Sequence, residues 1–222
     1  MLDWQSIDTV LLDMDGTLLD LHYDNQFWNH YLPQHYARQH GLTPAQADAR
    51  LREHFSAVAG SLNWYCLDYW QQQLQLPIKA LSRDLQHLIK VRDDVPAFLT
   101  QLRHAKKQVI LVTNAHPDSL ALKLEHTDLA DYCDQMWSTH PFGFSKESPQ
   151  LWQALQQKTA FQPERTLFID DNTSILRTAQ QFGIAECIAV ANPDSGMPAK
   201  AVVGFKSFSD YRELDYQKMA GA

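Results

Sequence analysis

Four short apolar runs, at residues 9–12, 109–112, 166–169 and 187–190, most constrain what this chain can fold into. Each is rich in Leu or β-branched residues and gives way to polar or turn residues, as a strand buried on both faces does. Helical periodicity at 95–105, 149–159 and 174–182 precedes the second, third and fourth runs, and a weaker strand signal lies at 135–138. Helix alternating with continuous apolar strand predicts an α/β fold, a parallel sheet with helices on both faces.

The spacing is uneven. About one hundred residues separate the first run from the second, whereas a parallel crossover needs only a dozen or more. Residues 20–91 read as helical throughout. Thr43-Pro44-Ala45-Gln46 is a capping box with Pro at the first helical position, Pro77 marks another start, and Gly41 sits where a helix should stop. The expected division is a sheet domain, 1–19 and 92–222, interrupted by a small helical domain, 20–91. That insert holds many aromatic residues, and rings at helical spacing are read mainly as its core. The tail at 192–222, with Phe205, Phe208, Tyr211 and Leu214, is expected to pack on the sheet domain as a short helix.

The net charge is -7 and there is no basic stripe, which excludes a nucleic-acid polymer or an anionic membrane as partner. Nothing resembles a signal peptide or approaches the roughly 20 apolar residues of a membrane span, so a cytoplasmic location is expected. No feature bears on oligomeric state. Cys66, Cys133 and Cys187 are far apart, and none has a partner at metal-ligand spacing. Neither a disulfide framework nor a zinc site is expected from them. By itself, the acidity would also disfavour a small anionic substrate at long range.

The ends of the runs carry the chemistry. The first leads into Asp13-Met14-Asp15-Gly16, two carboxylates one residue apart before a glycine that permits a sharp turn. The third leads into Asp170-Asp171-Asn172. Ligands of parallel sheets bind outside the carboxyl ends of the strands. Two acidic pairs at neighbouring ends repel unless a cation lies between them. Mg²⁺ suits such a set, taking a few carboxylates and completing its octahedron with water and phosphate oxygens. The second run ends in Thr113-Asn114, a hydroxyl and an amide able to donate to phosphate oxygens. Lys146 stands just before a helix start, with Ser148 as expected N-cap and Pro149 in the first turn.

In order, Asp13-Met14-Asp15-Gly16-Thr17, Thr113-Asn114, Lys146 and Asp170-Asp171 resemble the four motifs of the haloacid dehalogenase superfamily. The resemblance implies a Rossmann-like core with a helical cap inserted after the first strand. It also implies an enzyme, a Mg²⁺-dependent phosphomonoester hydrolase working through an aspartyl-phosphate. Asp13 would be the nucleophile, and Asp15 would protonate the leaving oxygen and then deprotonate water. Thr113, Asn114 and Lys146 would bind the phosphoryl group. The metal would be held by Asp13, the main-chain carbonyl of Asp15 and an acid of the 170/171 pair. The family pattern favours Asp171 there, with Asp170 acting through water or on Lys146; the residues alone leave both open.

Asp15 bears on reaction type. Carbon–halogen cleavage needs no acid for its leaving group, and that branch of the superfamily lacks the second Asp, while transport ATPases carry Thr there. Response-regulator receivers share the residue types but differ in motif order and are about half this length. A phosphate-binding pseudo-enzyme is the non-enzyme alternative, although every motif position holds a competent residue. Across its length, including Asn63-Trp64-Tyr65 and Leu18-Leu19-Asp20, the chain resembles the bacterial purine 5'-nucleotidases, which implies GMP and IMP as substrates. Trp64 or Tyr65 could stack on a purine for about 1–3 kcal/mol. The alternatives are a sugar-phosphate or phosphoglycolate phosphatase, or a phosphoglucomutase-like enzyme.

Overall fold

The computed structural model describes residues 2–221. Six strands, β1 (Thr9–Leu12), β2 (Gln108–Thr113), β3 (Gln135–Ser138), β4 (Thr166–Asp170), β5 (Glu186–Val190) and β6 (Lys206–Phe208), form one parallel sheet in the order 3-2-1-4-5-6. This is the Rossmann order, and its direction reverses between β1 and β4. Val10 pairs with Val109 on one side and Leu167 on the other, so β1 lies at the centre. Every residue of β1 and β4 is buried, which is why both read as unbroken apolar runs.

Side chains alternate between faces along each strand. Val10, Leu12, Leu111 and Ile169 join one core with Phe98, Leu99 and Leu102 of α6 (Val95–His104) and Leu122 of α7 (Pro117–Glu125). Leu11, Ile110, Val112 and Phe168 join the other, against Trp152 and Leu155 of α8 (Pro149–Thr159) and Leu176 and Ala179 of α9 (Thr173–Phe182). Each fully buried Leu, Ile or Phe contributes about 1.5–3 kcal/mol.

Between β1 and α6 the chain is helical: α1 (His22–Gln26), α2 (Leu32–His40), α3 (Pro44–Val58), α4 (Leu67–Leu74) and α5 (Ile78–Asp84). One π-helical turn, Phe27–Tyr31, joins α1 to α2. Gly41 ends α2 in the left-handed region, and Thr43 and Gln46 form the capping box of α3. These helices enclose a core of their own, in which Trp70 meets Phe55 edge-on at 5.0 Å. Where the chain leaves and re-enters the sheet, Leu19 and Val91 form an antiparallel bridge. Beside it Arg92 donates to the Asn192 carbonyl at 2.7 Å and the Ser209 carbonyl at 3.0 Å, fastening that junction to the C-terminal segment.

The tail packs on the sheet domain as expected, but its helix is 3₁₀, at Tyr211–Leu214 and Tyr216–Gly221, and Phe208 lies before it in β6. Only Phe208 is buried in that three-residue strand, so no periodicity announced it. Tyr211 stacks on Phe98 at 4.5 Å, and Trp4 Nε1 donates to the Leu214 carbonyl at 2.9 Å. The sequence pattern also missed α7. Among the described residues no helix is long and apolar enough to cross a membrane.

Phe168 sits at the centre of one sheet face, 4.9 Å from the Trp152 ring. Phe168→Ala should lower unfolding stability by about 3–5 kcal/mol, as large-to-small changes in a closed core do. Urea denaturation reads this directly, and a loss below about 1 kcal/mol would show that this face is not close-packed.

Candidate active site

The carboxyl ends of β1, β2 and β4 and the loop before α8 meet at the switch point of the sheet. The Asp13 backbone N–H donates to the Ile169 carbonyl at 3.0 Å, carrying the β1–β4 pairing one step past the strand and holding Asp13 beside Asp170. Lys146 lies between them. Its Nζ, almost fully buried, donates to Asp13 Oδ1 and, at 2.7 Å, to Asp170 Oδ2. The backbone around this lysine is fixed too: its N–H donates to Asn114 Oδ1 at 2.9 Å and its carbonyl accepts from Trp152 Nε1 at 2.9 Å. Ser148 occupies the N-cap position as expected, but its hydroxyl turns to the Gln150 side chain at 2.5 Å instead of capping the helix.

After Asp13 the chain turns tightly, with Leu18 and Leu19 N–H groups both on the Met14 carbonyl. Gly16 has φ +83, and a Cβ there would lie 2.8 Å from Asp171 Oδ2 and 2.9 Å from Pro193 Cβ. Only glycine fits, on both backbone and steric grounds, and the space it leaves is where the Asp171 carboxylate sits.

Carboxylate oxygens of Asp13, Asp170 and Asp171 lie within 4.8 Å of one another. Burial raises the Asp13 carboxyl to about 7; Lys146 pulls it down, while Asp170 and Asp15 push it up. Burial, then Asp170 and Asp13, likewise hold Asp171 well above the usual carboxylate range. Burial disfavours the charged form of Lys146, but Asp13 and Asp170 outweigh it, so its pKa is raised and it stays an ammonium. Against that burial, one ammonium among three carboxyls leaves too little positive charge to keep all three ionised, which is why Asp13 and Asp171 are raised. An all-oxygen donor set short of positive charge fits a hard divalent cation. Asp170 is committed on both oxygens, to Lys146 and to the Asn172 N–H at 2.8 Å.

A cavity of about 390 Å³ opens over these groups. Asp13, Asp15, Thr113, Asn114, Lys146, Asp170 and Asp171 all line it, so the seven site residues expected from the sequence face one space. The inserted helices supply Asn25, Trp28, Asn29, Phe55 and Trp64. Thr113 Oγ1 accepts the Ala115 N–H at 3.0 Å, leaving its own hydrogen free to donate. Asn114 is more occupied than expected. Its Oδ1 accepts from Thr139 and Lys146, and its Nδ2 donates to Glu147 Oε2 at 3.0 Å, which leaves one amide hydrogen for a ligand. The Tyr65 hydroxyl donates to Glu147 Oε1 at 2.6 Å, whereas Trp64 is among the few exposed large apolar side chains.

Sequence reasoning missed Lys123. Buried on α7, it donates from Nζ to Asp15 at 2.6 Å and to both oxygens of Asp24 at 2.8 and 3.0 Å. Burial disfavours its charge, yet Asp15 and Asp24 raise its pKa. Burial also pushes the Asp24 carboxyl up to about 6, with Lys123 opposing and Asp15 adding to it. A signal was available, since Lys123 occupies an apolar-stripe position beside Leu120 and Leu124, both of which pack on the core.

Residues 7–183 match the profile of a hydrolase family, the haloacid dehalogenase-like hydrolases. The chain belongs to that family. As a member of this hydrolase family it is an enzyme. It is 49% identical over 211 residues to the GMP/IMP nucleotidase YrfG of Escherichia coli K12, covering 95% of each chain. Among solved structures, a haloacid dehalogenase phosphatase from Thermococcus onnurineus superposes with a TM-score of 0.77 at 22% identity, covering 97% of this chain and 98% of that one. CbbY from Rhodobacter sphaeroides does so at 0.62 and 16%, covering 94% and 96%. At those identities the two structures speak for the fold alone, a haloacid dehalogenase-like α/β core.

The Lys123 bridge is a buried charge cluster, and removing one partner strands the others. Lys123→Met should destabilise the protein by about 3–5 kcal/mol, and adding Asp24→Asn should return part of that loss. Urea denaturation of the single and double variants tests this; a loss below about 1 kcal/mol for Lys123→Met would show that the bridge carries no structural weight.

Proposed function

We propose that the enzyme hydrolyses purine nucleoside 5'-monophosphates, GMP and IMP, through an aspartyl-phosphate on Asp13. The observation that carries this reading is the 49% identity, over 95% of both chains, to a protein named GMP/IMP nucleotidase. The cavity is compatible with it, since phosphate-competent groups and aromatic rings line the same space.

Asp13, Asp171 and the Asp15 main-chain carbonyl would hold Mg²⁺, which when bound supplies positive charge to the phosphoryl oxygens. Asp171 is favoured over Asp170 because Asp170 is already engaged by Lys146 and Asn172. In the first step a carboxylate oxygen of Asp13 attacks phosphorus and the bond to the ribose 5'-oxygen breaks. Asp15 gives its proton to that leaving oxygen. In the second step Asp15 takes a proton from water, the water oxygen attacks phosphorus, and the acyl-phosphate P–O bond breaks to free Asp13. The Thr113 hydroxyl and the remaining Asn114 amide hydrogen would hold phosphoryl oxygens, while Lys146 offsets charge on the nucleophile and the transferring group. Lys123 would keep the Asp15 carboxylate in place through both proton transfers.

The inserted helices act in this reading as a cap that excludes water and selects the leaving group. Trp64, rather than Tyr65, is the better stacking surface for a purine, because the Tyr65 hydroxyl is held by Glu147. Asn29 supplies polar atoms nearby for the base edge, while Asn25 is held by Asp194 at 2.7 Å and by Asn29 at 3.3 Å.

Two measurements test this. In a Mg²⁺-supplemented panel, phosphate release should be fastest from GMP and IMP; faster release from a hexose phosphate or phosphoglycolate, with the nucleotides near background, would overturn the assignment. For the mechanism, Asp13→Asn should abolish turnover, and Asp15→Asn should lower kcat by roughly 10²–10⁴-fold, the range general acid–base catalysis supplies. Near wild-type turnover in Asp13→Asn would remove Asp13 from its role.

A further inference from the structure

A second cluster of metal-ligating side chains lies beside the cavity. Cys66 precedes α4 in the inserted helices, His116 precedes α7, and His140 stands in the turn after β3. One ligand atom from each lies within 4.8 Å of the others. The two imidazole rings meet edge-on with centroids 5.0 Å apart. Their surroundings are polar. His116 Nε2 is 3.2 Å from Asp68 Oδ2, its Nδ1 accepts the Asp118 N–H at 3.2 Å, and the same Nδ1 is 3.7 Å from Asp118 Oδ2. Lys79 holds both carboxylates, at 2.5 and 2.6 Å. His140 Nε2 lies 3.2 Å from the Asn114 carbonyl.

We propose that Cys66, His116 and His140 form a binding site for a borderline-soft divalent cation, Zn²⁺, bridging the inserted helices and the sheet domain. Thiolate and imidazole select such an ion, whereas the all-carboxylate cluster of Asp13, Asp170 and Asp171 suits a hard one. In a tetrahedral zinc site, bonds of about 2.3 Å to sulfur and 2.0–2.1 Å to nitrogen place the ligand atoms roughly 3.4–3.6 Å apart. A set already within 4.8 Å closes to that separation by side-chain adjustment.

The second layer around the rings is in place. With the His140 Nε2–H donated to the Asn114 carbonyl, the Nδ1 lone pair is the one presented to a metal. In His116 the proton now shared with Asp68 would have to pass to Nδ1, which would give up the Asp118 N–H at 3.2 Å and close on the Asp118 carboxylate from 3.7 Å, before Nε2 could take the metal. A carboxylate that orients the distal N–H of a ligating histidine is the usual support of such sites. Water would complete the tetrahedron, and the Cys66 thiol loses its proton to solvent on binding. Cys66 belongs to the inserted helices and both histidines to the sheet domain. Occupancy would therefore fasten one to the other at the edge of the cavity, directly behind Asn114.

Co²⁺ titrated into chelator-treated protein tests the site, because a thiolate ligand adds an intense near-ultraviolet charge-transfer band that carboxylate ligands cannot produce. The wild type should develop that band, saturating at one thiolate-bound equivalent and bleached by stoichiometric Zn²⁺. Cys66→Ser should lose it and Cys133→Ser should keep it. His140→Gln should weaken Co²⁺ binding at least about tenfold, with unchanged far-ultraviolet circular dichroism in all variants. A wild type without the band, or a Cys66→Ser variant that retains it, would overturn the proposal.

Discussion

The site depends on one buried ammonium. Lys146 is nearly inaccessible, and its Nζ lies between Asp13 at the end of β1 and Asp170 at the end of β4. An unpaired charge at that depth would carry a desolvation penalty of several kcal/mol. The lysine is therefore tolerable only because the sheet brings two strand ends, far apart in sequence, side by side. The dependence is mutual, since the carboxylates would repel each other without it. The backbone bonds that clamp Lys146, through Asn114 on one side and Trp152 on the other, make its position a property of the packed sheet and of α8. Charge placement at the switch point and packing of the core are thus one constraint seen from two sides.

Legibility in the sequence followed burial. β1 and β4 could be read because they are covered on both faces and so contain no polar interruption. The acids at their ends stood out because the change from apolar to charged is abrupt at the carboxyl end of a parallel strand. β6 could not be read, having a single buried residue. α7 carried too little contrast, and although Lys123 stands on its apolar stripe, the reason for a lysine there shows only when its partners Asp15 and Asp24 are in place. The occupied state of Asn114 was equally invisible, because Glu147, Thr139 and the Lys146 N–H converge on it from other segments. The Cys66, His116 and His140 cluster is the extreme case. Its members come from three segments with no motif spacing, so counting cysteines could not reveal a cluster that only the fold assembles.

The net charge of -7 takes on a different meaning once the acids are located. Asp13, Asp15, Asp24, Asp170 and Asp171 all line the cavity. Among the described residues their repulsion is met from within the fold by two buried ammonium groups, Lys123 and Lys146. What an arriving anion meets is set by that local balance, and the global field reaches it only weakly beyond about 8–10 Å at physiological ionic strength.

The two lysines are anchored to different parts of the fold. Lys146 ties together the ends of β1 and β4, and its loop meets the inserted segment through its two neighbours, Glu147 with the Tyr65 hydroxyl and Ser145 with the Gly60 carbonyl. Lys123 ties Asp15 to Asp24, and Asp24 lies on α1, the first helix after the chain leaves the sheet. Any movement of α1 relative to α7 must therefore stretch a buried ion pair whose other end is Asp15. In a buried, low-dielectric setting that pair is stiff, so the position of the inserted helices and the orientation of the Asp15 carboxylate are mechanically linked. Asp13 and Asp15, one residue apart in sequence, are thereby referred to different parts of the molecule, the first to the rigid sheet and the second to the junction with the inserted helices.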